Sequence, residues 1–295
     1  MIRVLPALLL VIFSGLVQAD RIVHREKSLY RNIVVKDTGN RRCLAFSVKR
    51  QHRNQTCIDK LDPKRIVFPY VRMSFAGLIA NPEPEQVLMI GLGGGTISNV
   101  LLELYPDLQI DIVEVDPAVL KVAEEFFSFE ETDQSRVHIM DGRVFTRRAL
   151  QQGRRYDLII LDAYTGEYIP EHLMTVEFLQ DVNGLLTPGG VVVANTFAVS
   201  RLYHHESTTY AKVFGDFFNF KLSGTGNRVI VGSNRELPDE AMLEKVAREL
   251  APRLAPYDVD LESYVPRLSR EPDWRADARP LTDQFSPANL LRGSN

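Results

Sequence analysis

Residues 87–96 read Val87-Leu-Met-Ile-Gly-Leu-Gly-Gly-Gly-Thr96. Four apolar residues run straight into a cluster of glycines. A short, wholly apolar run followed by a turn signal fits a strand buried on both faces. Glycines at its end let the backbone turn sharply and come close to another group. The apolar spacing over Ile97–Tyr105 then predicts an amphipathic helix. Strand, glycine turn and helix form the first half of a parallel β-α-β unit.

The same alternation continues outward. Apolar runs recur at Ile110–Val115, Val137–Met140, Leu158–Leu161 and Val191–Ala194. Helical patterns fill the gaps at Ala118–Phe127, Val144–Gln152 and Met174–Leu185. Buried strands separated by helices predict an α/β fold, a doubly wound, mostly parallel sheet covered on both faces. Phe217–Leu222 and Arg228–Gly232 flank Ser223-Gly-Thr-Gly-Asn227, which predicts a hairpin and an antiparallel last strand. Pro238–Leu254 reads as one amphipathic helix, and residues 255–295 are proline-rich and irregular. Upstream, Asn81-Pro-Glu-Pro-Glu85 marks a boundary, because two prolines cannot sit inside a helix or central strand. Short strands are expected over residues 20–75.

The extreme N-terminus is of another kind. Arg3 is the only charge before Asp20, Val4–Val17 is nearly all apolar, and Val17-Gln18-Ala19 offers small residues at an exit. This is the pattern of a secretory signal peptide over residues 1–19. It implies a periplasmic or secreted protein with no stable membrane span once the leader is cleaved; an uncleaved N-terminal anchor is the alternative. The expected organisation is therefore a leader at 1–19, a small β region at 20–80 and a large α/β domain at 81–295.

Composition narrows the partners. The 295 residues carry 35 basic and 38 acidic side chains, a net charge of −3, with 45% hydrophobic residues. That excludes a disordered chain and provides no basic footprint for nucleic acid. Two cysteines cannot alone supply a four-ligand zinc site, and no metal is predicted. Cys43 and Cys57 lie 14 positions apart around a polar stretch. Two readings stand, a disulfide across a hairpin or two unrelated thiols.

The ends of the predicted strands carry the chemistry. Gly91, Gly93 and Gly95 open the first helix, whose N-terminus offers free N–H donors. Glu114 ends the second strand, 23 residues after Gly91, where a carboxylate can accept from the two hydroxyls of a ribose. Asp141-Gly142 ends the third strand and could accept from an adenine amino group, or simply form a turn. Asp162 ends the fourth, after Leu158-Ile-Ile-Leu161, where a half-buried carboxylate is costly without a task. Asp116, followed by Pro117, reads as a helix cap. A dinucleotide-dependent dehydrogenase shares the glycine loop and second-strand acid. It would want glycine at Thr96 and has no need of Asp141, so an adenosyl-sulfonium transferase fits better.

These residues resemble the polyamine aminopropyltransferases, the spermidine synthases, and their divergent spermidine-synthase-like branch. The resemblance is carried by Gly91-Leu-Gly-Gly-Gly95, Glu114-Val-Asp116, Asp141-Gly142 and Asp162-Ala-Tyr-Thr-Gly-Glu-Tyr-Ile-Pro170. Leu44–Gln51 before them and Leu281-Thr-Asp-Gln-Phe-Ser-Pro287 after them extend it over residues 26–290. It implies a seven-stranded sheet of the class I S-adenosylmethionine-dependent transferase type with a small N-terminal β-hairpin region. It further implies that Gln51 and Glu114 hold the ribose and methionine-derived part of a nucleoside, that Asp141 and Gly142 hold adenine, and that Pro170 lines the pocket. Asp162 would take a proton from an attacking amine. Chemistry supports that role independently, since an ammonium has no lone pair and alkyl transfer to it needs a proton acceptor. The co-substrate would be decarboxylated S-adenosylmethionine, or S-adenosylmethionine, with no permanently bound cofactor. The acceptor would be a small amine or polyamine. Dimers or tetramers are common among such enzymes, so a homodimer is compatible with the resemblance.

The departures from that pattern are specific. Thr96 stands where the family has an acid for the donor's aminopropyl ammonium. Ala163-Tyr164-Thr165 follows Asp162 where a second acid is usual, with Glu167 the nearest acid. Phe68-Pro-Tyr-Val-Arg-Met73 has no histidine where the family has Tyr-His-Glu. Three readings follow, an aminopropyltransferase-like enzyme, a methyltransferase on the same fold, and a non-catalytic exported protein. Elsewhere, His204-His205-Glu206 reads as a rim or solvated segment rather than a metal site, and Trp274 as a packing anchor.

Overall fold

The computed structural model describes residues 20–48, 51–165 and 168–285. The leader expected at 1–19 and Glu167 lie outside the described residues.

The chain begins with a four-stranded antiparallel meander, β1 (Arg21–Lys27), β2 (Asn32–Thr38), β3 (Arg41–Val48) and β4 (Gln51–Asp59). Gly39 turns β2 into β3 with φ of 60°, which glycine adopts without strain. Cys43 and Cys57 are register partners across β3 and β4 and form a disulfide, which decides between the two readings. Asp37 is buried on this sheet. Arg42, Lys60 and Arg21 all donate to its carboxylate and hold it well below the usual range. The strands end at Asp59, earlier than expected. Pro69 and Gly77 instead begin two short helices, α1 (Pro69–Ser74) and α2 (Gly77–Ala80). Proline at the first helical position is pre-set for that turn, and the run after it lacks strand alternation.

The large sheet alternates strictly with helices, as β5 (Gln86–Ile90), α3 (Thr96–Leu104), β6 (Gln109–Glu114), α4 (Pro117–Phe126), β7 (Ser135–Ile139), α5 (Gly142–Gln151), β8 (Tyr156–Leu161), α6 (Val176–Leu185), β9 (Leu186–Phe197) and α7 (Tyr203–Phe214). The hairpin β10 (Phe217–Lys221) and β11 (Asn227–Ser233) follows, then α8 (Glu240–Leu254), α9 (Leu261–Tyr264) and β12 (Leu268–Ser269). The order is β12-β10-β11-β9-β8-β5-β6-β7, with β5 to β9 parallel and the hairpin antiparallel to β9. Seven strands are those expected. The eighth, β12, is a two-residue addition from the irregular tail that pairs Leu268 with Phe220.

Each central strand feeds two cores. Val87, Met89, Leu158 and Ile160 pack on one face with α3, α4 and α8. Leu88, Ile90, Ile159 and Leu161 pack on the other with α5, α6 and α7. That double burial is why these strands read as unbroken apolar runs. Sequence order reverses at β5, which has β6 on one side and β8 on the other. Ligands of such sheets bind outside the strand C-termini at this switch point.

Candidate active site

A cavity of about 300 Å³ lies over that switch point. Gly91, Gly93, Glu114, Asp141, Gly142, Asp162 and Pro170 all line it. Gly95 does not. It caps α3 with φ of 74°, and its Cα faces the Phe129 ring, so it shapes the turn from behind. Gln51 opens β4 opposite Val48, and its side chain lies outside the described residues. Gln55, four positions along the same strand, lines the cavity.

The glycine loop is held close to Asp162. Gly91 has φ of 103°, and a Cβ there would collide with the Asp162 carbonyl, so only glycine fits between the two strand ends. Glu114 is buried, and its carboxylate accepts from the Leu92 N–H at 3.2 Å and the Asp116 N–H at 2.9 Å. Burial raises its pKa, against those two N–H groups and Arg31. Its charge therefore braces the glycine loop from below. Asp116 caps α4 through the Ala118 N–H, as expected, and also accepts from the Ser28 hydroxyl at 2.6 Å.

Asp141 is the N-cap of α5. One oxygen accepts from the Arg143 and Val144 N–H groups, and the other meets His172 Nε2 at 2.8 Å. Asp141 thus both caps a helix and lines the cavity. The C-terminal tail buttresses this wall. Asp283 takes both guanidinium nitrogens of Arg143, at 2.7 and 2.5 Å, and the Thr175 hydroxyl that caps α6. The Leu281-Thr-Asp283 motif therefore reaches the cavity only through the next layer.

Asp162 stands alone among these acids. Burial pushes its carboxyl up to about 7 from an ordinary 3.8, opposed by one donor, Asn195 Nδ2 at 2.9 Å. Tyr70 of α1 and Tyr164 feel its charge, and burial raises both phenols far above neutrality. The Tyr70 hydroxyl donates to the Gln55 carbonyl and the Tyr164 hydroxyl to the Asn195 carbonyl. A carboxylate poised near pH 7 in an apolar cleft suits proton removal.

Sequence reading missed the wall opposite the strand ends. Tyr30, Arg31, Phe46, Gln55 and Tyr70 reach the cavity from the N-terminal sheet and α1. Arg31 stacks 4.3 Å above Phe46, donates to the Tyr164 carbonyl at 3.1 Å and lies 3.5 Å from Asp116. No local signal marks these residues. Tyr164 and His172 sat beside quoted motifs and could have been found by position. Thr96 faces Thr56, 3.4 Å between hydroxyls, rather than lining the cavity. His204 and His205 bind the tail at the Arg275 N–H and Arg279 carbonyl, and Trp274 stacks on Phe217.

Comparisons with known proteins agree with this geometry. The family model for the spermine/spermidine synthase domain matches residues 71–223. A polyamine aminopropyltransferase of Vibrio vulnificus is 52% identical over 274 residues, covering 92% of this chain and 91% of that protein. A probable spermidine synthase structure from Corynebacterium glutamicum superposes with a TM-score of 0.64 over 88% of this chain and 99% of that one, at 20% identity, a likeness of fold. Human methyltransferase-like protein 13 in complex with SAH has a TM-score of 0.58 and 26% identity, over 74% of this chain and 100% of that one. With glycine loop, strand-end acids and half the chain matched to one family model, this protein is a member of the spermine/spermidine synthase family.

Proposed function

We propose that the protein transfers an aminopropyl group from decarboxylated S-adenosylmethionine to an amine, with Asp162 as general base. The amine nitrogen attacks the methylene carbon next to sulfur. The carbon–sulfur bond breaks, its electrons stay on sulfur, and methylthioadenosine leaves. The proton lost by nitrogen passes to Asp162. Glu114 is read as the ribose ligand, Asp141 and Gly142 as the adenine wall, and Gly91, Gly93 and Pro170 as the floor and rim. The observation that carries this reading is Asp162, with a proton affinity near neutrality, beside a cavity whose other acids are already held by backbone N–H groups. The test is release of methylthioadenosine from the decarboxylated donor, dependent on added mono-, di- or triamines. No release with any amine would refute it.

A second reading has one observation behind it. Thr96 stands in the glycine loop where the resemblance expects an acid for the aminopropyl ammonium, and its hydroxyl turns to Thr56 rather than into the cavity. Formation of S-adenosylhomocysteine and a methylated amine from intact S-adenosylmethionine would establish methyl transfer instead. The reading of residues 1–19 as a cleaved leader is supported by their charge and apolar pattern, and by a disulfide suited to an oxidising compartment. Mass measurement of the mature protein from its host tests it, since cleavage predicts a chain starting at Asp20.

A further inference from the structure

Asp162 is the only group that the proposed chemistry asks to move a proton, and among the described residues its side-chain hydrogen-bond donor comes from a neighbouring strand. Strands β8 and β9 run parallel with Leu161 beside Ala194, so the next residue on each, Asp162 and Asn195, emerge together at the sheet edge. Asn195 is 4% exposed. Its amide cannot rotate freely, because its Oδ1 accepts from Asn227 Nδ2 at 3.0 Å, on the antiparallel strand β11. With the oxygen so engaged, the nitrogen must face Asp162, where it donates at 2.9 Å. An ionised carboxylate only accepts, so the amide presents the one end that stabilises charge. The main-chain carbonyl of the same residue accepts from the Tyr164 hydroxyl at 2.8 Å, a second tie on Asn195. Three residues from three adjacent strands therefore form a row, Asn227 to Asn195 to Asp162.

We propose that Asn195, locked by Asn227, is the positioning residue that orients the Asp162 carboxylate and keeps it able to accept a proton. The inference rests on the reading of Asp162 as base. Neither asparagine is titratable, so the row acts on Asp162 without a proton of its own. The other ionisable groups that share the cavity are Tyr30, Tyr70, Tyr164, Arg31, Glu114, Asp141 and His172. Behind Asn195, Glu206 and Arg228 pair with each other at 3.1 Å. Removing the Asn195 donor takes away the hydrogen bond that opposes burial of the carboxylate, so its affinity for a proton rises.

The test is a carboxyl-carbon NMR titration of the whole free protein, with the Asp162 signal identified by its loss in Asp162→Asn. Asn195→Ala is expected to move the Asp162 midpoint upward by about one pH unit or more, the effect of losing one hydrogen bond to a charge. Asn227→Ala, which leaves Asn195 in place but frees its amide, is expected to move it in the same direction by less. In turnover assays, both variants should lose rate at pH 7 and recover most of it at pH 9, with KM for the amine nearly unchanged. An unmoved midpoint in both variants, or a rate loss that is the same at every pH, would overturn the proposal. Should Asn195→Ala fail to fold, Asn227→Ala decides alone. The titration needs no turnover, so a moved midpoint in a protein with no transferase activity would sink the enzyme reading and leave the positioning role standing.

Discussion

The two halves of the cavity are built on opposite plans. On the side proposed for the nucleoside, Glu114 and Asp141 are each held by two backbone N–H groups from the residues that immediately surround the loop or helix they serve. Their charges are committed to structure before any ligand arrives. Around Asp162, the side-chain donor among the described residues is Asn195 from another strand, with Tyr164 two positions along the chain and Tyr70 from α1 nearby. Backbone donors are fixed and cost nothing to orient, so they suit a binding wall. A carboxylate left mostly uncompensated in an apolar cleft keeps its appetite for a proton, which suits a base.

If that contrast is right, substitutions on the two sides should separate turnover from binding. The largest effect is expected from Asp162→Asn, a fall in kcat of about 10²- to 10⁴-fold, with the affinity for methylthioadenosine by calorimetry changed less than about twofold. Loss of both together would make Asp162 a structural residue and erase the distinction. Glu114→Gln should do the converse. It removes a charge from two N–H donors and turns one acceptor into a donor, so nucleoside affinity should fall by about 10- to 100-fold while kcat at saturation stays within a few-fold. Tyr70→Phe removes the hydrogen bond to the Gln55 carbonyl on the wall opposite the strand ends and, if the amine sits there, should raise its KM by about 2- to 10-fold, read from initial rates.

The remaining expectations concern pH. With Asp162 as the proposed base, its deprotonated form is the active one, so kcat/KM should climb as pH rises through about 7. For stability the sign is opposite. The folded chain holds this proton more tightly than the unfolded chain, whose carboxyl titrates near 3.8, so folding weakens as pH rises from about 4 to 7. Asp162→Asn abolishes that loss. Its melting temperature should exceed that of the parent at pH 8, and the margin should vanish near pH 4, by scanning calorimetry. Asp37, on the small sheet, behaves the other way. Three cations lower its pKa, so its contribution is present above its unfolded value and is lost as acid protonates it. Asp37→Asn should lower the melting temperature at pH 7 and matter least in strong acid.

The large sheet was legible because its strands are buried on both faces and its helices on one, and each arrangement leaves its own period in the sequence. The strand-end wall of the cavity was legible for a related reason. A parallel strand ends, the chain turns, and a helix begins, so Gly91, Glu114, Asp141 and Asp162 advertise themselves by position along the chain. The cap at Asp116 was read from its proline in the same way. Gly95 misled because glycines in a turn look alike in sequence, whereas one faces a ligand cavity and another a phenylalanine ring.

What the chain could not announce is everything that crosses between elements. The Cys43–Cys57 bond needed the β3–β4 register, which an unread turn length leaves open. Gln55, Tyr70, Arg31 and Phe46 reach the cavity because the N-terminal sheet and α1 fold back over it, a long-range packing with no local period. Asn195 stands 33 residues from Asp162 in sequence, beside it only because β8 and β9 are parallel neighbours. By itself the sequence determined the α/β order and the row of acids at the strand ends, since both follow from local burial pattern and turn chemistry. Only the tertiary structure decided which of those acids is left nearly uncompensated, because the proton affinity of a carboxyl is set by the solvent it loses and the donors it meets, and both come from other parts of the chain.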